Sequence, residues 1–134
     1  MKQAPNVTSI CLTLVIAIFL IGCSGANSTL PATPTLDPES PEGQGLKLYK
    51  VHCASCHANT PDTIIVGPSL AGVATRAETR IEGLSAEDYI YESIIDPDRY
   101  VVEGYLAGTM QQDFGDRLTS DKVNNLVAYL LTLD

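Results

Sequence analysis

Basic charge is scarce in this chain of 134 residues: eight Lys and Arg stand against 16 Asp and Glu, for a formal charge of −8 and a sequence pI near 4.5. Phosphate recognition needs clustered Lys and Arg, so the balance argues against a nucleic acid or an anionic lipid surface as electrostatic partner. A charged docking partner is expected to be locally basic. Internal repeats are also missing, and no second catalytic domain fits the length. Alternating strand patterns are absent over any useful length. Histidine occurs only at His52 and His57, no Cys or His follows His57, and Met110 is the one methionine besides Met1.

The longest apolar run, Ile10 to Gly22, is shorter than the roughly 20 residues a spanning helix needs, but it fits the core of an export signal. It ends in Leu20-Ile21-Gly22-Cys23, which resembles the lipobox of bacterial lipoproteins, where the cysteine is lipidated and becomes the first residue. Residues 1–22 therefore read as a lipoprotein signal peptide, with Cys23 as the lipidation site. Removal of Lys2 with the signal takes the formal charge to −9. Residues 23–40 read as the lipidated Cys and a flexible linker, rich in Pro, Ser and Thr and unable to bury a core. The expected location is exported, lipid-anchored, on the periplasmic or extracellular face of a membrane. Two or more acyl chains anchor stably where one does not.

Residues 41–134 read as one all-α domain. Helical spacing predicts a first helix from Pro41 to about His52. A second begins at Ser85 as N-cap, carries Tyr89, Ile90 and Ile94 as its apolar stripe, and stops at Asp96-Pro97. A third starts at Thr119-Ser120-Asp121 and runs through Val123, Leu126, Val127, Leu130 and Leu131. The stretches 58–83 and 98–118, rich in Gly, Pro, Thr and Asp, read as ordered loop. That much loop in so small a domain calls for a large apolar group at its centre.

The chemistry concentrates in Lys50-Val51-His52-Cys53-Ala54-Ser55-Cys56-His57. A structural zinc site wants four ligands, usually as two separated pairs, and no second pair exists. A dithiol oxidoreductase wants Cys-x-x-Cys after a strand in a βαβ unit, and no such strand precedes Cys53. Cys-x-x-Cys-His as a c-type haem attachment site needs an exported location, an apolar pocket wrapped by loops and a sixth iron ligand. In that reading Cys53 and Cys56 form thioethers, His57 binds the iron, and Met110 supplies a soft, neutral sulfur that raises the reduction potential. His52 reads as a packing or solvent-facing residue at the end of the first helix.

Cys53-x-x-Cys56-His57, followed by Gly67-Pro68-Ser69-Leu70-Ala71-Gly72, Arg76 and a lone Met110 before a terminal helix, resembles the class I cytochrome c family over the whole folded part. The resemblance implies a small bundle of about three to five helices, with long loops wrapped around one covalent haem c. It implies that the Pro68 carbonyl accepts a hydrogen bond from His57, that Leu70 lines the haem pocket and that Arg76 meets a propionate. It also implies that Gly45 and Tyr49 cross the terminal helix at Leu126, Tyr129 and Leu130. Two departures stand out: Gln111 follows Met110 where many bacterial members have Pro, and the acidic balance differs from the basic mitochondrial type.

The function implied is one-electron transfer, with no catalytic residues, between redox protein partners in a respiratory or photosynthetic chain. The second half of the chain resembles cytochrome domains of membrane respiratory assemblies, so a fixed subunit of a quinol-oxidising or oxidase complex is the nearest alternative. A haem enzyme or gas-binding sensor with an open sixth position is the other.

Overall fold

The computed structural model describes residues 36–134; the signal, the lipidation site and most of the tether lie outside the described residues. Among the described residues five helices follow in order: α1 (Pro41–His52), α2 (Val73–Ala77), α3 (Ala86–Ile95), α4 (Phe114–Arg117) and α5 (Ser120–Leu130). Among the described residues the only extended pairing is one isolated antiparallel bridge between His57 and Ile64. The described part of the chain is all-α.

The long helices start where their caps dictate. Ser40 precedes α1 with Pro41 in its first turn, and its hydroxyl accepts from the Gly43 amide at 3.1 Å. Ser85 does the same for α3 through Asp88 N at 3.0 Å, and donates back to Asp88 Oδ2 at 2.7 Å. Asp96 ends α3, and Pro97 lies just beyond it. The two short helices occupy stretches whose composition reads as loop. Each covers barely more than one turn, too short for an apolar period to register, and each is held by a few buried residues: Ala74 and Ala77 in α2, Phe114 in α4.

The core joins α1, α3 and α5. Val123 and Leu126 are the most completely buried large side chains, and Tyr49, Ala77, Tyr89, Ile90, Ile94, Phe114, Leu118, Val127, Tyr129 and Leu130 complete the cluster. Truncating a fully buried leucine of this kind typically costs about 2–5 kcal/mol.

Helix α1 buries two glycines and one tyrosine rather than an aliphatic stripe. A mid-helix glycine costs about 1 kcal/mol against alanine, and the crossing with α5 is the reason it is kept. A Cβ at Gly45 would lie 1.9 Å from the Asn125 carbonyl oxygen and 2.6 Å from Tyr129 Cβ. The backbones approach too closely for any side chain there. One turn further on, the rings of Tyr49 and Tyr129 pack at 5.3 Å between centroids. This crossing sets the direction in which α1 delivers its C-terminus, and with it the cysteine pair.

Candidate functional site

At the end of α1 the chain turns tightly instead of continuing. The amides of Cys53 and Ala54 both donate to the Tyr49 carbonyl, at 2.8 and 2.9 Å, and those of Cys56 and His57 to the Cys53 carbonyl, at 3.0 and 2.9 Å. The turn brings both sulfurs and the following imidazole to one cavity of about 270 Å³. Cys53 and Cys56 are free thiols. Burial pushes the Cys53 thiol up to about 11, with Cys56 beside it adding to the effect, so this sulfur is protonated at neutral pH.

The segment 66–72 closes over the turn. Val66 N and Gly67 N donate to the Cys56 carbonyl at 3.1 and 2.9 Å, Leu70 N to Ala58 O at 2.7 Å, and the Ser69 hydroxyl to Thr60 O at 2.7 Å. His57 is held from three sides. Its Nδ1 lies 2.9 Å from the Pro68 carbonyl, its own carbonyl accepts from the Tyr49 hydroxyl at 2.7 Å, and its ring lies against the Gly67 backbone. A Cβ at Gly67 would fall 2.3 Å from His57 Cε1. With a carbonyl opposite Nδ1, that nitrogen carries the proton, which leaves Nε2 with the lone pair.

The residues singled out in the sequence, Cys53, Cys56, His57, Pro68, Leu70, Arg76 and Met110, all line this one cavity. Arg76 donates through Nη2 to the Ser69 carbonyl at 2.8 Å and through Nη1 to the Ala71 carbonyl, two of the five N–H donors a guanidinium has. Met110 is partly buried against the core cluster. His52 also borders the cavity, its ring edge-on to Phe114 with centroids 6.2 Å apart.

The rest of the lining is mostly apolar: Val73, Ile90, Ile94, Phe114 and Leu130 from the core side, Val66, Val101 and Leu106 toward solvent. Tyr100, at the edge, donates to Glu92 Oε2 at 2.7 Å, and Arg99 Nε reaches the same oxygen at 2.9 Å, which ties the chain after α3 back to the helix. Asp98 and Gln112 carry no signal in the sequence, and Gly67, although it belongs to the motif after His57, gives none of its contact with that ring. The close approach of Gly67 to His57, and the side chains of Asp98 and Gln112 around Met110, are visible only once residues distant in the chain meet.

The donor set fits a haem attached through cysteine. Two reduced thiols and a histidine with one committed nitrogen share an apolar cavity, and among the described residues no group of three or more His, Cys, Asp or Glu is placed to hold a bare metal ion. Fold and site together define an all-α, c-type haem-binding domain. The Cytochrome c family model matches residues 43–134, well over half of the chain, and the chain belongs to that family. Comparison with curated proteins and with solved structures returned no match. Membership carries covalent haem c and haem-based electron transfer.

Proposed function

We propose that the protein is a one-electron carrier with a single haem, fixed by thioethers at Cys53 and Cys56 and ligated by His57 Nε2 and Met110 Sδ. The observation that carries this reading is the convergence of both sulfurs, the oriented imidazole and the lone Met110 on one apolar cavity. The bound haem supplies an iron centre that alternates between ferrous and ferric. The chain does the rest. Pro68 fixes the His57 tautomer and strengthens Nε2 as a donor. Leu70, Ile90, Ile94 and Phe114 keep the dielectric low, and the Met110 sulfur favours the ferrous state and raises the potential. The Arg76 donors not directed at Ser69 and Ala71 would be available to a propionate, whose charge they would offset.

With His57 and Met110 both held by the iron, no coordination position would remain open to a substrate or gas, which favours electron transfer over an enzyme or gas sensor. The test is optical. The reduced protein is expected to take up carbon monoxide negligibly without denaturant, whereas Met110→Ala keeps its covalent haem, binds carbon monoxide readily and falls sharply in reduction potential. An unchanged potential in Met110→Ala would refute the ligand assignment.

In the same reading the domain hangs from lipidated Cys23 at the outer face of a bacterial membrane. Its acidic surface meets a basic patch on a redox partner in a respiratory or photosynthetic chain, as a free carrier or as a subunit of a larger complex. Support comes from the apolar run ending at Cys23 and the formal charge of −8. Cys23→Ser is expected to move the protein from the detergent-extracted membrane fraction to the soluble one; retention on the membrane would point to an uncleaved anchor. Co-purification with integral-membrane proteins in mild detergent distinguishes subunit from free carrier.

A further inference from the structure

Met110 sits in a segment with no helix or strand between the end of α3 and the start of α4, and its surroundings are mostly exposed. Local turns shape the approach, with Tyr105 N donating to Val102 O at 3.0 Å and Thr109 N to Leu106 O at 3.3 Å. No proline follows Met110 to stiffen the chain. Yet the residues two before and two after it are tied to a single atom. The Gly108 amide donates to Asp98 Oδ1 at 2.8 Å, and Gln112 Nε2 donates to the same oxygen at 3.2 Å. Gln112 Nε2 also donates to the Met110 carbonyl at 2.8 Å, so both protons of that amide are engaged. Asp98 is itself placed by the end of α3, where Arg99 N donates to the Asp96 carbonyl at 3.0 Å, and it borders the same cavity as Met110.

We infer that Asp98 and Gln112 are positioning residues that clasp the Met110 loop and hold its sulfur toward the cavity, doing with side-chain hydrogen bonds what a rigid residue after the methionine would otherwise do. The inference rests on the reading of Met110 as the sixth ligand. The carboxylate is the centre of the clasp because one anionic oxygen accepts from both sides of the ligand at once, and bonds to a charged acceptor are the stronger kind. Loss of that oxygen frees the Gly108 amide and one proton of the Gln112 amide together, and leaves the Met110 carbonyl held only by a side chain that is itself no longer anchored. Loss of the Gln112 amide frees only one side.

The test uses the haem-loaded full chain with Asp98→Ala, Asp98→Asn and Gln112→Ala. It follows carbon monoxide binding to the reduced protein, the absorption band of the sulfur–ferric iron bond, and the denaturant midpoint. In Asp98→Ala, which removes both bonds, the rate of carbon monoxide binding is expected to rise by at least about three- to tenfold, the factor carried by one such hydrogen bond. Gln112→Ala is expected to rise less, and Asp98→Asn, whose amide oxygen still accepts, is expected to stay near the parent.

If the parent holds its sulfur ligand and binding is unchanged in Asp98→Ala and Gln112→Ala, the clasp is overturned, even where the denaturant midpoint falls. Should Asp98→Ala fail to fold, Gln112→Ala against Asp98→Asn decides in the same way. A parent that binds carbon monoxide freely and lacks the sulfur band overturns both the ligand assignment and the clasp, an outcome distinct from unchanged variants on a ligated parent.

Discussion

The two chain segments that bring His57 and Met110 to the cavity are built on different principles. On the histidine side the main chain does most of the holding: Gly67 lies against the ring, Pro68 faces Nδ1, and the amides of Val66 and Gly67 bond the Cys56 carbonyl. On the methionine side the chain is exposed, has no regular structure from Val101 to Asp113, and is secured by the side chains of Asp98 and Gln112. Main-chain bonds in a close-packed turn have no rotamers to lose, whereas two exposed side chains pay entropy to hold their geometry and compete with water. The methionine side is accordingly the one expected to open first.

Two glycines and one hydroxyl sharpen the contrast. Gly67→Ala has the largest expected effect, because a Cβ under 3 Å from three atoms of the His57 ring forces the imidazole or the loop to move. Overpacking of this kind costs about 1–3 kcal/mol, read as a lowered denaturant midpoint together with reduced covalent haem yield. Gly108→Ala is the converse case. Nothing lies within 4 Å of its Cβ position, but its φ is +75°, a left-handed backbone that a side chain disfavours by about 1–2 kcal/mol. Its effect should fall on the methionine loop, as faster carbon monoxide binding with haem yield unchanged. If both glycine variants alter the same observable, the two sides are not separately held.

The smallest effect is expected from Tyr49→Phe, which deletes the 2.7 Å hydrogen bond to the His57 carbonyl while keeping the ring against Tyr129. About 1 kcal/mol of stability is expected to go, measured by denaturant unfolding, with carbon monoxide binding unchanged. Burial and the neighbouring Tyr129 and Cys53 raise the Tyr49 phenol above its ordinary value, so this donor keeps its proton throughout the physiological range.

Much of the fold was legible because long helices announce themselves locally. A hydroxyl cap, an acidic first turn and an apolar stripe marked α3, and Tyr89, Ile90 and Ile94 are its buried residues. Val123, Leu126, Val127 and Leu130 mark α5 in the same way. Helices α2 and α4 were not legible, since four or five residues carry no period and their stability comes from what they rest on. The Gly45 crossing was reachable only through a family resemblance; helical spacing places that glycine inside the first helix but gives no reason for it.

By itself the sequence determined the chemistry. Two cysteines and a histidine at fixed spacing, with no second cluster and one internal methionine, select covalent haem attachment because those constraints act within a few residues or by simple scarcity. Only the tertiary structure decided how each group is held: Gly67 against the His57 ring, Pro68 facing Nδ1, and Asp98 gripping both flanks of Met110. Those arrangements join positions ten or more residues apart, where no local periodicity links them. They exist because α1 and α5 pack closely enough to fix where the intervening loops must run.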